Sequence, residues 1–271
     1  MTETSHPAPT LPELALSDAA LAELDAAVVV LEGTSLPVRL AALVGGTVEA
    51  LKRRLPSGAQ GMIDGAVRRA LLAALRTALL SGPERRPARL PGEWLHRGLL
   101  AASGAAGGAL GLPGTLMELP VSTTLLLRQV AAIAAEQGED LSDPQVQAEC
   151  LKVFALGGRN PQDDEAESGY FALRLALAEA VQSAVGRGVA QFLPGFLGAI
   201  AARFGVPVAF KLSAQAAPVV GAAGGVAVNL AFLEHFRGIA RAHFTVRRLE
   251  RRYGSALVRA AYERLREQPF G

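Results

Sequence analysis

Two long stretches of this 271-residue chain carry no charge, and they constrain its fold more than any other feature. Gly98–Met117 and Leu212–Leu233 both exceed the ~18 residues that flag a membrane-crossing helix. Both are diluted, the first by six glycines and Pro113, the second by Gln215, Pro218 and Asn229. Each contains the string Gly-Ala-Ala-Gly-Gly, at Gly104–Gly108 and Gly221–Gly225. Glycines four apart strip one helix face of side chains and let two backbones approach closely. The expectation is two Gly-rich apolar helical hairpins packed together. Such packing serves a water-soluble core as well as it serves lipid, so the strings alone do not choose the solvent.

Composition narrows the class. Half of the residues are hydrophobic but only 5% are aromatic and 19% charged, so the apolar mass comes from Ala, Leu, Val and 29 glycines. A formal charge of +2 with that apolar content excludes a disordered chain, and a single cysteine, Cys150, excludes a disulfide scaffold. Apolar residues recur at three and four rather than in alternation, which predicts an all-α protein. Helices are expected at Asp18–Leu31 with Ser17 as cap and Gly33 as stop, Pro37–Arg54, Ala59–Leu80, Glu93–Ser103, Thr115–Gln137 and Pro144–Leu156. Further helices are expected at Glu165–Val185, Val189–Phe204, Val206–Ala216, Val219–Arg252 and Ser255–Glu267. Residues 1–16, with Pro7, Pro9 and Pro12, read as a disordered lead. Residues 17–271 read as one multi-helix domain, with Ser81–Pro91 the place where it would subdivide and Gly157–Asp164 a second loop.

Charge is unevenly distributed. Residues 1–38 hold six acids and no Lys or Arg, whereas Arg237–Gly271 holds nine arginines against three glutamates. Arg247, Arg248, Arg251 and Arg252 therefore suit lipid headgroups, since guanidinium adds bidentate hydrogen bonds to Coulomb attraction. Nucleic acid is not expected as a partner, because no stacking aromatics or recognition motif accompany the arginines. The start of the chain lacks a basic segment followed by an apolar run, which favours the cytoplasm over export.

From Gly111 onward the chain resembles the EcsC protein family of bacteria, named for a product encoded beside ABC-transporter components. The resemblance rests on Gly111-Leu112-Pro113-Gly114 leading to Glu118-Leu119-Pro120, on Pro218 followed by Gly221, Gly224-Gly225 and Asn229, and on Ala240-x-x-His243-Phe244-x-x-Arg247-x-Leu249. It extends over about residues 20–267, with the first hundred least specific. The resemblance implies an α-helical, membrane-associated protein and transfers no catalytic residues or cofactor.

Chemistry is sparse. His235 and His243 fall eight residues apart on one helix face, about 12 Å along the axis, too far to share one metal ion directly. No His-Glu-x-x-His, phosphate-binding loop or Gly-x-Ser-x-Gly elbow is present. Cys150 reads as a small buried hydrophobe. The acidic run Asp163, Asp164, Glu165 and Glu167 reads as a solvated helix start. Polar residues in or beside the apolar segments are more informative: Glu118, Lys211, Gln215 and Asn229 each require a partner, a cavity or water. A Glu118–Lys211 pair would join the two hairpins, and His243 is a fifth polar candidate. The sequence therefore predicts a non-enzymatic helical protein, with no cofactor or metal, peripheral to or partly inserted in the cytoplasmic membrane. Its expected partners are anionic lipid or a membrane protein. The competing reading is a soluble enzyme holding a lipid-like substrate between the hairpins.

Overall fold

The computed structural model describes residues 15–53, 59–80, 118–158, 169–185, 193–215 and 221–267, and these are all-helical, with no strand among them. The expected disordered lead through residue 14, the expected Ser81–Pro91 loop and Glu93–Ser103 helix, the Gly98–Met117 stretch and the acidic run at 163–167 lie outside the described residues. So, therefore, does the packing of one hairpin on the other.

Local signals set most helix ends. Helix α1 (Asp18–Glu32) begins where Ser17 Oγ accepts the Ala20 N–H at 3.3 Å. Helix α2 (Leu36–Leu43) and helix α3 (Val48–Arg53) replace the single helix expected from Pro37 to Arg54. Gly45 is the reason. It takes φ +65°, its N–H bonds the Ala42 carbonyl, and the Gly46 N–H bonds the Ala41 carbonyl at 2.9 Å. This is the two-bond stop that a left-handed glycine makes at a helix C-terminus. Helix α4 is Ala59–Leu80, and α5 occupies 118–136. Gly138, with φ +78°, closes α5 in the same manner, through Gly138 N–H to Ala135 and Glu139 N–H to Ala134. Helix α6 (Pro144–Leu156) starts with Asp143 accepting from the Gln145 N–H at 2.8 Å and Pro144 in the first turn. Helix α7 is Tyr170–Val185.

Helix α8 (Leu193–Gln215) runs unbroken through Gly205 and Pro207, where the sequence predicts two helices. Burial explains the continuity, since every residue from Pro207 to Ala214 is buried and packing overrides the propensity of a single proline. Helix α9 (Gly221–Tyr253) is 33 residues long, and Gly254, at φ +91°, turns the chain into α10 (Ser255–Arg266).

Helices α8 and α9 form the centre. Helices α2, α3, α4, α6 and α7 pack on α8, while α1, α2, α6 and α10 pack on α9. Among the described residues, Gly195–Ala214 of α8 is the helical segment long and apolar enough to cross a membrane, and 67% of it is buried inside the protein. The few aromatics gather where α6, α8 and α9 meet. Phe154, Phe204, Phe232 and Phe236 lie with ring centroids 4.8–6.1 Å apart. A second group, Tyr170, Phe171 and Tyr262, closes α7 on α10 at 5.0–5.4 Å.

The end of α6 departs from the expected polar loop, because Gly157 and Gly158 are buried rather than solvated. A Cβ on Gly157 would stand 2.5 Å from the Phe236 ring, and one on Gly158 would strike the Arg203 carbonyl. Pro207 cannot donate to that carbonyl, which lies four residues before it. Gly158→Ala is therefore expected to cost about 1–3 kcal/mol, as overpacking against backbone does. Gly46→Ala, with nothing within 4 Å of the new Cβ, should leave the denaturation midpoint nearly unchanged.

Candidate functional site

Two buried polar clusters stand along α9. In the first, Glu118 is the first described residue of α5, Lys211 projects from the last turns of α8 and Asn229 from the first third of α9. Lys211 Nζ donates to Glu118 Oε1 at 3.4 Å and Asn229 Nδ2 donates to the same oxygen at 3.3 Å. The Lys211 ammonium also lies 5.3 Å from the centre of the Phe232 ring. Lys211 is 1% exposed, and burial lowers its pKa against the opposing pull of Glu118. Three of the five polar residues singled out from the sequence thus meet at one point. Gln215 is the last residue of α8, and its side chain lies outside the described residues.

His243 belongs to the second cluster, 14 residues and about 21 Å further along α9. Its Nε2 stands 3.1 Å from Glu149 Oε2 and its Nδ1 2.8 Å from the Tyr170 hydroxyl. A carboxylate can only accept, so Nε2 carries a proton, and with the ring neutral Nδ1 accepts from the Tyr170 hydroxyl. The neutral ring this requires agrees with burial, which holds His243 below its ordinary pKa although Glu149 opposes the shift. Lys152 Nζ, at 2.8 Å, and Arg247, at 3.4 Å, face the other Glu149 oxygen. Burial alone would raise the Glu149 carboxyl. The His243 hydrogen bond and the charges of Lys152 and Arg247 outweigh it and hold the group well below the usual carboxylate range. Burial likewise pushes the Tyr170 hydroxyl up and the Cys150 thiol up to about 12, so neither ionises at neutral pH.

The arginines expected at headgroups are largely engaged inside the chain. Arg247 grips Glu139 with two bonds, at 2.8 and 3.2 Å, and Arg251 bonds Glu139 and the Gln137 carbonyl. Arg248 bonds the Gln137 side chain at 2.7 Å and also Glu23 of α1. Arg252, which is exposed, lies 5.2 Å over the Tyr253 ring. Sequence reasoning missed Glu139, Glu149 and Tyr170 as partners. The near balance of 27 bases against 25 acids was the available signal that an arginine-rich helix would find carboxylates within the protein.

His235 is not drawn to His243. Its Nε2 donates to the Gly157 carbonyl at 2.9 Å. Among the described residues, no three His, Cys, Asp or Glu side chains converge in a way that would hold a metal ion.

Residues 93–249 match the EcsC protein family, more than half of the chain. The chain belongs to the EcsC protein family. The match is shorter than the 20–267 expected, but it contains all three motif groups and both polar clusters. Helices α1 to α4 and α10 fall outside it. No curated protein and no solved structure matches the chain.

Two outcomes follow for this EcsC chain. Removing one member of a buried ion pair strands the other, so Lys211→Met should lower unfolding free energy by about 3–5 kcal/mol in chemical denaturation. The double variant Glu118→Leu/Lys211→Met should lose less than the two single changes added together. Burial holds His235 down at about 4, against 6.5 in the unfolded chain. Below pH 6.5 the unfolded state therefore binds the extra proton. Stability should be full above pH 6.5 and fall by on the order of 3 kcal/mol as pH drops to about 4. His235→Gln, whose amide can still donate to Gly157, should flatten that part of the profile.

Proposed function

We propose that this EcsC protein is a non-enzymatic, membrane-associated helical protein that binds lipid or a membrane-protein partner at the cytoplasmic face of the membrane. The observation that carries the reading is the Glu118–Lys211–Asn229 cluster. Glu118 is the first residue after the uncharged Gly98–Met117 stretch, and Lys211 is the last before the uncharged Leu212–Leu233 stretch. The charges that border the two stretches neutralise each other at 3.4 Å. Ionisable groups beside apolar segments are tolerated in a low-dielectric setting when they pair in this way. Both stretches are thereby rooted at one neutralised point, a suitable base for segments that meet an apolar medium.

The enzyme reading has less support. Its mark would be a closed pocket where Glu118, Lys211 or His243 converge; Glu118 and Lys211 meet as a buried ion pair, while His243 lies about 21 Å along α9 from Asn229. Both ring nitrogens of His243 are engaged by Tyr170 and Glu149, and Cys150 is a buried neutral thiol.

Fractionation of cells expressing the full chain tests the proposal. The protein is expected in the membrane pool, retained through a high-salt wash and released by alkaline carbonate. Complete recovery in the soluble pool would sink it.

A further inference from the structure

We propose that the corner between α1 and α2 is an interfacial lipid-docking surface, with the outward face of α2 inserting shallowly among headgroups and upper acyl chains. The proposal rests on the membrane reading above but assigns the contact to residues 29–43, outside both the Gly-rich stretches and the family match.

Helix α2 is apolar nearly all round. Leu36, Pro37, Leu40 and Ala41 are buried and pack toward α8 and α9. On its other side Val38 is 41% exposed and Leu43 48% exposed, with Ala42 between them. A helix hydrophobic on every face is ordinarily enclosed. This one is enclosed on one side only. Single exposed hydrophobics are common on any protein, so grouping is what matters. Seven large apolar side chains are exposed among the described residues, and four of them, Val29, Val30, Val38 and Leu43, fall within 15 residues at this corner.

The chemistry of the corner favours lipid as its occupant. From Gly33 to Val48 the one charged residue is Arg39, which is exposed. Its cation suits an anionic headgroup, and its aliphatic stem can lie along the apolar face while the guanidinium reaches outward. Of the α1 acids, Asp18, Glu23 and Asp25 lie away from the corner, with Glu23 bonded to Arg248, and Glu32, at the corner, is turned to the Tyr262 hydroxyl and the Tyr170 N–H inside the protein. Size argues the same way. An eight-residue helix is about 12 Å long, too short to supply the ~800 Å² per side of a stable protein interface, but long enough for insertion ~5–10 Å deep. Together α1 and α2 are apolar enough to pass as one membrane span, yet they bend by 68° at the break. The bend turns a would-be span into a corner that lies along a surface.

The test uses the full chain and vesicles of phosphatidylglycerol and phosphatidylcholine. Native Cys150 is 3% exposed and neutral, so Leu43→Cys carries the one reactive thiol and can take an environment-sensitive dye. The dye should shift to the blue with vesicles and be quenched by spin labels near the headgroups. The same dye on Ser255→Cys, at the exposed start of α10, should not respond. Val38→Asn/Leu43→Asn should weaken vesicle flotation about tenfold with an unchanged melting temperature, because both side chains are already half in solvent. If the protein floats while the position-43 dye stays silent, the corner is not the contact and the proposal falls, though the membrane reading stands. If the protein does not float, the proposal falls together with the lipid arm of the membrane reading, and recovery in the membrane pool of cells would leave only the membrane-protein arm standing. A blue shift without vesicles that grows with protein concentration would assign the face to a second copy and overturn the proposal.

Discussion

The register between α5 and α9 is the constraint on which the rest of the fold depends. Glu118 meets Asn229, and Gln137 meets Arg248, so the same sequence offset recurs at both ends of a 19-residue run. The two helices therefore lie parallel and in step for about 28 Å. Between the clamps α5 buries aliphatic side chains such as Leu126, Val130 and Ile133, whose non-directional packing would tolerate sliding. The polar ends would not. A slip of one turn, ~5.4 Å, would separate Glu118 from Lys211 and Asn229 and Glu139 from Arg247 at once, stranding buried charge at both ends.

With α5 and α9 fixed, α9 acts as a common strut for α6 and α7. Glu149 brings α6 to His243, and His243 brings Tyr170 and the start of α7 to the same place. Tyr170 then stacks on Tyr262 of α10, whose hydroxyl donates to Glu32 of α1 at 2.7 Å. Glu32 also accepts the Tyr170 backbone N–H at 3.2 Å. A continuous path of hydrogen bonds and ring contacts thus runs from α6 through α9, α7 and α10 to α1. In a chain with few aromatics, these polar links supply the orientation that bulky interlocking side chains supply elsewhere. The arginine-rich end of α9 belongs to the same system, since its guanidinium groups hold the 137–139 turn and Glu23.

What was legible in the sequence was whatever depends on neighbours in the chain. Ser17, Asp143 and Pro144 mark helix starts because a cap acts over two or three residues, and α1 and α6 begin where those signals place them. The Gly45-Gly46 stop was equally local and was overlooked because the apolar pattern continues across it. Gly205 and Pro207 misled in the opposite sense. Their breaking tendency is real, but it is smaller than the packing of a segment buried at every position from Pro207 to Ala214. The Glu118–Lys211 contact was readable because both residues border uncharged stretches and each needed a partner. The Tyr170–His243–Glu149 chain was not, because its members come from three helices, 73 and 94 positions apart, with no local spacing to join them.

The apolar excess of the chain has two destinations with different physical meanings. In α8 a span-length apolar helix contains Arg203, Pro207 and Lys211, and other helices surround it. It is hydrophobic all round because nearly every face touches protein. Length and hydropathy therefore cannot distinguish it from a membrane helix, although its surroundings can. In α2 the same composition appears in a helix covered on one side only. Solvent preference is consequently decided by the few apolar side chains left without protein cover, not by the total number of apolar residues. On that criterion the buried core accounts for most of α8, whereas the outward face of α2 keeps apolar side chains that no other part of the protein covers.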